Sequence, residues 1–264
     1  MPLFSSPRIA VMELFGVIGA PSRAVEQLRL IQSLRETDSV RSVVIDIDSP
    51  GGTVAASDYL HRSVRKLAEK KPVIAFIRGT GASGGYMVGC AATKIVALPT
   101  AMIGSIGVIS MRPLVYELME KVGVRMSVTK SGRLKDMWSS FREPTEEEKE
   151  KEQALLDEFY NRFIEVVAEG RKLSPDDVRA LATGEVFTAV RGKEMRLVDE
   201  LGDLDTAIDM AAKLGKTPRR IRYVRPKRSL RSLLMSRMAS ALVEEVSVKI
   251  EESLRPRIDY RRSR

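Results

Sequence analysis

Two glycine-rich segments hold the residues with the most scope for chemistry. DSPGGTV spans residues 48–54, and IRGTGASGGYMVGC spans 77–90 with two glycines directly after Ser83. Pro50 fixes its own φ, and Gly51 and Gly52 accept left-handed geometry. Each segment follows an apolar run and precedes a helical pattern. Its backbone N–H groups therefore point outward, unpaired, beside a helix N-terminus. That arrangement suits a developing oxyanion. A plain turn is the simpler reading of Pro-Gly-Gly, and an N-cap is the routine role of a serine at a helix start. The sharper reading of Ser83 is a nucleophile exposed on a strand-to-helix turn. The two segments together favour it. Adjacent parallel strands would put both turns at one sheet edge, where the amides of Gly51 or Gly52 and of Gly84 can surround one oxygen atom.

A nucleophilic serine needs a base. His61 is the single histidine, nine residues past Gly52. It falls in a helix running away from the turn, about 13 Å distant at the usual helical rise. It is expected on the helix surface, and a Ser-His-Asp triad is disfavoured. A lysine can serve only when neutral, which burial promotes by lowering a reference pKa of about 10.4. SVTKSGRLKDMWSS (127–140) offers Lys130 and Lys135. Lys130 ends a strand-like run. Lys135 precedes bulky Met137 and Trp138, which can exclude water. A solvated charge is the ordinary state of either lysine, and the residues alone do not choose between them. Cys90 is the single cysteine, so neither an intrachain disulfide nor a cysteine-based zinc site is expected, in keeping with a reducing compartment.

The elements that must position these residues follow from periodicity. Strand-like runs lie at 8–14, 41–48, 72–77, 94–98, 106–110 and 125–130, with helical patterns between them near 22–36, 53–69, 84–92 and 113–122. Such alternation predicts an α/β layer fold. SVVIDI is apolar at most positions of both faces, as in a strand covered by helices. Residues 144–173 open with Thr-x-x-Glu, a capping-box pattern. There Leu155, Leu156, Phe159, Phe163, Val166 and Val167 recur at helical spacing. Shorter helices are expected near 174–182, 189–195 and 203–213.

The formal charge of +9 is uneven. Residues 216–264 hold 15 Lys/Arg against 5 Asp/Glu, and the other 215 residues hold 29 against 30. The basic character belongs to the tail, so a nucleic-acid-binding body is not expected. The expected division is a domain over 1–215, with a helical arm at about 144–213, and a basic amphipathic tail over 216–264. Leu230, Leu233, Leu234, Ala241, Leu242 and Val246 recur at near-helical spacing among arginines. Such a helix can lie on an anionic membrane surface or pack on a neighbouring subunit. No run reaches the roughly 18 residues of a spanning helix, and the first twenty residues lack signal-peptide character. On this reading the chain touches a membrane peripherally or stays cytoplasmic.

Four motifs in order, DSPGG, GASGGY, TAMIGSIGVI (100–109) and KSGRLKDMWSSFREPTEEE (130–148), resemble the signal peptide peptidase A, or protease IV, family. The later GEVFTAVRGKEMRLVDELGDLDTAI (184–208) is similar to that family's region after the long helix. The resemblance covers about residues 8–205. It implies a ClpP/crotonase-like fold, Ser83 as nucleophile and Lys135 as general base. It also implies Ser105 as the residue that orients the lysine, and Gly51, Gly52 and Gly84 as the oxyanion and substrate-binding backbone. No cofactor or metal is implied. The implied partners are apolar peptides, such as cleaved signal peptides or unfolded segments, and further copies of the chain in a homo-oligomer with shared active sites. Typical members carry an N-terminal membrane helix, and many carry two tandem copies; the sequence shows neither. The alternatives are a crotonase-like acyl-CoA enzyme, which would need a carboxylate that neither glycine turn offers, and a non-catalytic membrane-associated scaffold.

Overall fold

The computed structural model describes residues 8–19 and 21–226. In chain order it contains β1 (Arg8–Phe15), α1 (Pro21–Glu36), β2 (Val40–Ser49), α2 (Val54–Ala68), β3 (Val73–Ala82), α3 (Gly84–Gly89), β4 (Lys94–Ala97) and β5 (Met102–Gly104). There follow α4 (Tyr116–Lys121), α5 (Glu146–Arg171), α6 (Pro175–Leu181), β6 (Val186–Thr188), α7 (Ala189–Glu194), β7 (Glu200–Leu201), α8 (Leu204–Gly215) and β8 (Ile221–Val224). Among the described residues these strands make one sheet of order β6-β5-β3-β2-β1-β8, with β4 beside the first half of β3 and β7 beside β4. Every pairing is parallel except β5 with β6.

The central strands are buried on both faces. Val43, Ile45 and Ile47 of β2 face a core built with Leu60, Val64 and Leu67 of α2, Tyr86 and Val88 of α3, and Phe163 and Val167 of α5. Val44 faces the other way, with Ile9, Val11, Ile74, Phe76 and Val96, against Ala207, Ile208 and Ala211 of α8. That two-sided burial is why these strands read as continuous apolar runs. The long helix begins as its sequence predicts. Thr145 accepts from Glu148 N–H, and the Glu148 carboxylate returns to Thr145 N–H at 2.9 Å, completing a capping box.

Two expected strands are not strands. Residues 106–110 and 125–130 have no ladder partner, and every residue from 121 to 130 is exposed. The left-handed φ values of Gly104 (98°) and Ser105 (50°) turn the chain out of the sheet after β5, so the β-prone residues beyond have no edge to join. Conversely, β6, β7 and β8 span three, two and four residues, too short to show a period. Strand β8 pairs with β1 from Ile9↔Ile221 to Met12↔Val224, so the sheet takes in residues that charge alone groups with the tail. The amphipathic pattern from 229 to 254 lies outside the described residues. Among the described residues no helix is long and apolar enough to cross a membrane.

Helix α5 lies on α3 through Gly170, where a Cβ would overlap the Cys90 carbonyl. In Gly170→Ala, helix propensity favours alanine by about 1 kcal/mol. Backbone overlap opposes it by about 1–3 kcal/mol, and the steric cost is expected to win. Urea denaturation should give a lower midpoint for G170A, and a higher one would refute this packing.

Candidate active site

The turn after β2 is shaped by what it touches. Ser49 Oγ donates to the Gly16 carbonyl at 2.7 Å and accepts from Gly51 N–H at 3.1 Å. Ile18 N–H donates to Gly51 O, and Thr53 N–H donates to Ile18 O. Gly51 has φ 100°, and a Cβ there would stand 2.6 Å from Gly84 N and 2.8 Å from Ser83 Cβ. No other residue fits both the angle and the space.

The turn after β3 meets it. Ser83 has φ 50° and ψ −123°, a strained backbone for a residue with a Cβ. Two bonds hold it: Ser83 N–H to Gly104 O at 2.8 Å, and Met87 N–H to Ser83 O at 2.9 Å. Ser83 occupies the N-cap position of α3, yet its side chain makes no capping bond. Its hydroxyl instead lines a cavity of about 550 Å³. Gly84 opens α3, so helical geometry leaves its N–H without an intrahelical acceptor. Among the described residues Gly52 N–H has no acceptor either, whereas Gly51 N–H is taken by Ser49. These two amides are adjacent, since a Cβ on Gly84 would lie 3.3 Å from Gly52 N.

Ser105 lines the same cavity. Its own left-handed turn is fixed by a bond from its N–H to Glu185 O at 2.7 Å. The sequence left unremarked Ser57, buried on α2 with its Oγ bonded to Thr53 O at 2.9 Å, and Tyr160 of α5; both line the cavity. Phe159 and Phe163 of α5, legible as one face of a helix, form its apolar wall with Met87, Val108 and Ile109. Ser83, Ser105, Gly52 and Gly84 are thus brought together by one chain. Among the described residues no group of His, Cys, Asp and Glu could hold a metal ion.

Both basic candidates lie elsewhere. Lys135 is exposed on the loop before α5 and does not line the cavity. Met137 is half-buried, but Trp138 is 54% exposed, so neither seals Lys135 within its own chain. Lys130 is paired with Asp136. His61 is not on the helix surface. It is 2% exposed, between α2 and α3, and its Nδ1–H donates to Met87 O at 2.9 Å. Burial lowers its pKa, because a dry setting disfavours the imidazolium. It does not line the cavity, so its exclusion as a base stands for a different reason.

The profile of peptidase family S49 matches residues 65–217, more than half of the chain. The chain belongs to peptidase family S49. A protein of Methanocaldococcus jannaschii with a protease designation is 40% identical over 71% of this chain and 60% of its own length. A chloroplast serine protease, SPPA, of Arabidopsis thaliana is 32% identical over 92% of this chain and 38% of its own. Protease 4 of Salmonella typhi is 34% identical over 70% and 30%. The chain therefore spans less than two thirds of each of these relatives. Among solved structures, a serine-to-alanine mutant of the membrane-bound stomatin-specific protease 1510-N superposes with a TM-score of 0.55 at 16% identity, over 84% of this chain and 99% of that one. That likeness is one of fold.

In this S49 peptidase the loop carrying Lys135 is clamped to α5. Arg142 Nε donates to Asp136 at 3.0 Å, and its Nη atoms donate to both oxygens of Glu148. Hydrogen bonds from Arg142 hold the Glu148 carboxyl down at about 2, from its usual 4.5. Bonds from Arg142 and Lys130 hold Asp136 well below its usual 3.8. Both carboxyls bind fewer protons folded than unfolded. Their stabilisation is therefore present above about pH 5 and is lost as pH falls toward 2. Arg142→Gln should be less stable than wild type at pH 6, with the gap closing toward pH 3 in urea titrations. A gap independent of pH would refute the clamp.

Proposed function

We propose that the protein is a Ser-Lys endopeptidase acting on apolar peptides, such as cleaved signal peptides. The single observation that carries this reading is Ser83 on an apolar-walled cavity also lined by Gly52 and Gly84, whose amides lack acceptors among the described residues. Lys135, in its neutral form, takes the Ser83 proton as Oγ attacks the peptide carbonyl. The N–H groups of Gly52 and Gly84 hold the oxyanion, and Gly51 lets the two turns approach. Lys135 then protonates the leaving amine. Water attacks the ester through the same base, and Ser83 recovers its proton. Ser105 orients the lysine amine. Phe159, Phe163, Met87 and Ile109 favour apolar side chains on the substrate, in accord with the signal peptide peptidase designation of an Enterococcus faecium relative.

The base is drawn from a second copy of the chain. Lys135 is not in its own cavity, and the segment around it is apolar yet uncovered: Ile109 is 83% exposed, Met111 88%, Leu118 62% and Val122 65%. Exposed apolar surface on this scale marks an interface, and burial there would disfavour the charged amine. The peptidase unit takes in β8, which pairs with β1, and so runs past residue 215. The basic stretch beyond, outside the described residues from 227, makes peripheral contact with an anionic membrane.

Ser83→Ala and Lys135→Ala should each lower cleavage of an unstructured apolar peptide by at least about 10³-fold, with circular dichroism unchanged. Full activity in K135A would remove the assigned base. Shared sites add a sharper expectation. Co-refolding S83A with K135A should restore part of the activity, because a mixed assembly contains intact Ser83–Lys135 pairs. An assembly of unchanged size with no restored activity would place both groups in one subunit.

A further inference from the structure

Strands β2 and β3 keep parallel register from Val43↔Val73 to Ile47↔Ile77, then resume at Ser49↔Gly81. One residue of β2, Asp48, therefore stands opposite three of β3: Arg78, Gly79 and Thr80. Such a bulge strips main-chain groups of their ladder partners. The Asp48 side chain fills the gap, accepting from Thr80 N–H through Oδ1 at 2.9 Å. Its carboxylate lies against Gly79, where a Cβ would come within 2.8 Å of Oδ1.

The bulge is also where β3 changes neighbours. Ile74–Ile77 pair with β4, and Thr80–Ala82 pair with β5. The next residue is Ser83. At its other end, Asp48 lies in β2 just before the glycine turn. Its carbonyl accepts from Gly16 N–H at 2.8 Å, and the adjacent Ser49 holds Gly51 N–H. Asp48 thus leads along its main chain into the turn that presents the Gly52 amide, and its side chain is bonded to the strand that runs into Ser83.

We propose that Asp48 is a positioning residue for the protease reaction. Its carboxylate replaces a missing main-chain acceptor and sets Ser83 Oγ against the amides of Gly52 and Gly84. The proposal rests on Ser83 being the nucleophile. The property required is an acceptor lone pair, not a charge. Arg78, the cation on the bulge, is already held by Asp46 through Nε at 3.1 Å and Nη2 at 2.5 Å, and it lies over the Phe15 ring. Asp48→Asn keeps an acceptor at Oδ1, whereas Asp48→Ala removes it. Gly79→Ala keeps the carboxylate but displaces it.

The test uses the full chain and a fluorophosphonate probe, with the labelled residue located by mass spectrometry. It adds kcat and KM on an apolar peptide and thermal unfolding of each variant. Misplacement of a nucleophile by about 1 Å costs on the order of 10²-fold. D48A and G79A should lose about that much in labelling rate and kcat, with KM little changed. D48N should stay close to wild type. Labelling of D48A at the wild-type rate, or a loss in D48N as large as in D48A, overturns the proposal. If D48A does not fold, D48N against G79A decides: retention in the first with loss in the second supports it, and equal behaviour overturns it. A wild-type protein unlabelled at Ser83, or an S83A variant that still cleaves, brings down the Ser83 reading and this proposal with it. A labelled wild type with an unaffected D48A brings down Asp48 alone.

Discussion

The structure depends on two strand-to-helix turns that meet at van der Waals contact, with Gly51 of one against Ser83 and Gly84 of the other. A single carbon added at Gly51 would stand 2.6 Å from Gly84 N. That separation is below any tolerable contact, so the turns would have to part. Their closeness brings Gly52 and Gly84, whose amides have no acceptor among the described residues, to one cavity with Ser83. The positive φ of Ser83 belongs to the same constraint. Strain of this kind persists only where surroundings over-determine it, and here they do. The residue is bonded to Gly104 ahead of it and Met87 behind it, at the end of a strand and the start of a buried helix.

The rest of the fold serves to make those surroundings rigid. Parallel pairing of β2 with β3 brings both turns to one sheet edge. The hydrophobic core beneath them, from Ile47 through Tyr86 to Phe163, fixes α3 and α5 against the sheet. Tyr86 ends that packing with a polar contact, its hydroxyl donating to Leu197 O at 2.8 Å. His61 acts in the same way, tying α2 to the Met87 carbonyl of α3. A lone histidine near a serine turn invites a catalytic reading. Its burial and its bond to the Met87 carbonyl make it a tie between the two helices, with Nε2 buried and without a partner among the described residues.

The arm is built on different physics. From Ile109 to Phe141 there is little core, and order comes from ion pairs: Arg142 with Asp136 and Glu148, and Arg112 with Glu152 at 2.8 Å. Exposed pairs contribute little individually, but networks that join a loop to a helix start fix geometry. Ser83 thus sits in rigid apolar packing, whereas Lys135 sits in a charged, solvent-facing segment.

The sequence by itself determined the layered α/β class, the succession of the first strands and helices, and the capping box that opens α5. Each of these is local: a two-sided apolar run, a 3.6-residue period, a Thr and a Glu three apart. It also pointed to the two glycine turns, because Pro-Gly-Gly and Ser-Gly-Gly at strand ends leave few conformations open. It could not separate true strands from β-prone segments at 106–110 and 125–130, because a strand is defined by a partner that sequence does not name. Strands β5 to β8 escaped it, because no period fits so short a span. The burial of His61, the meeting of Gly51 with Gly84, the cavity wall from α5 and the bulge filled by Asp48 were decided by tertiary structure. All four depend on residues far apart in the chain whose approach is set by how the layers pack.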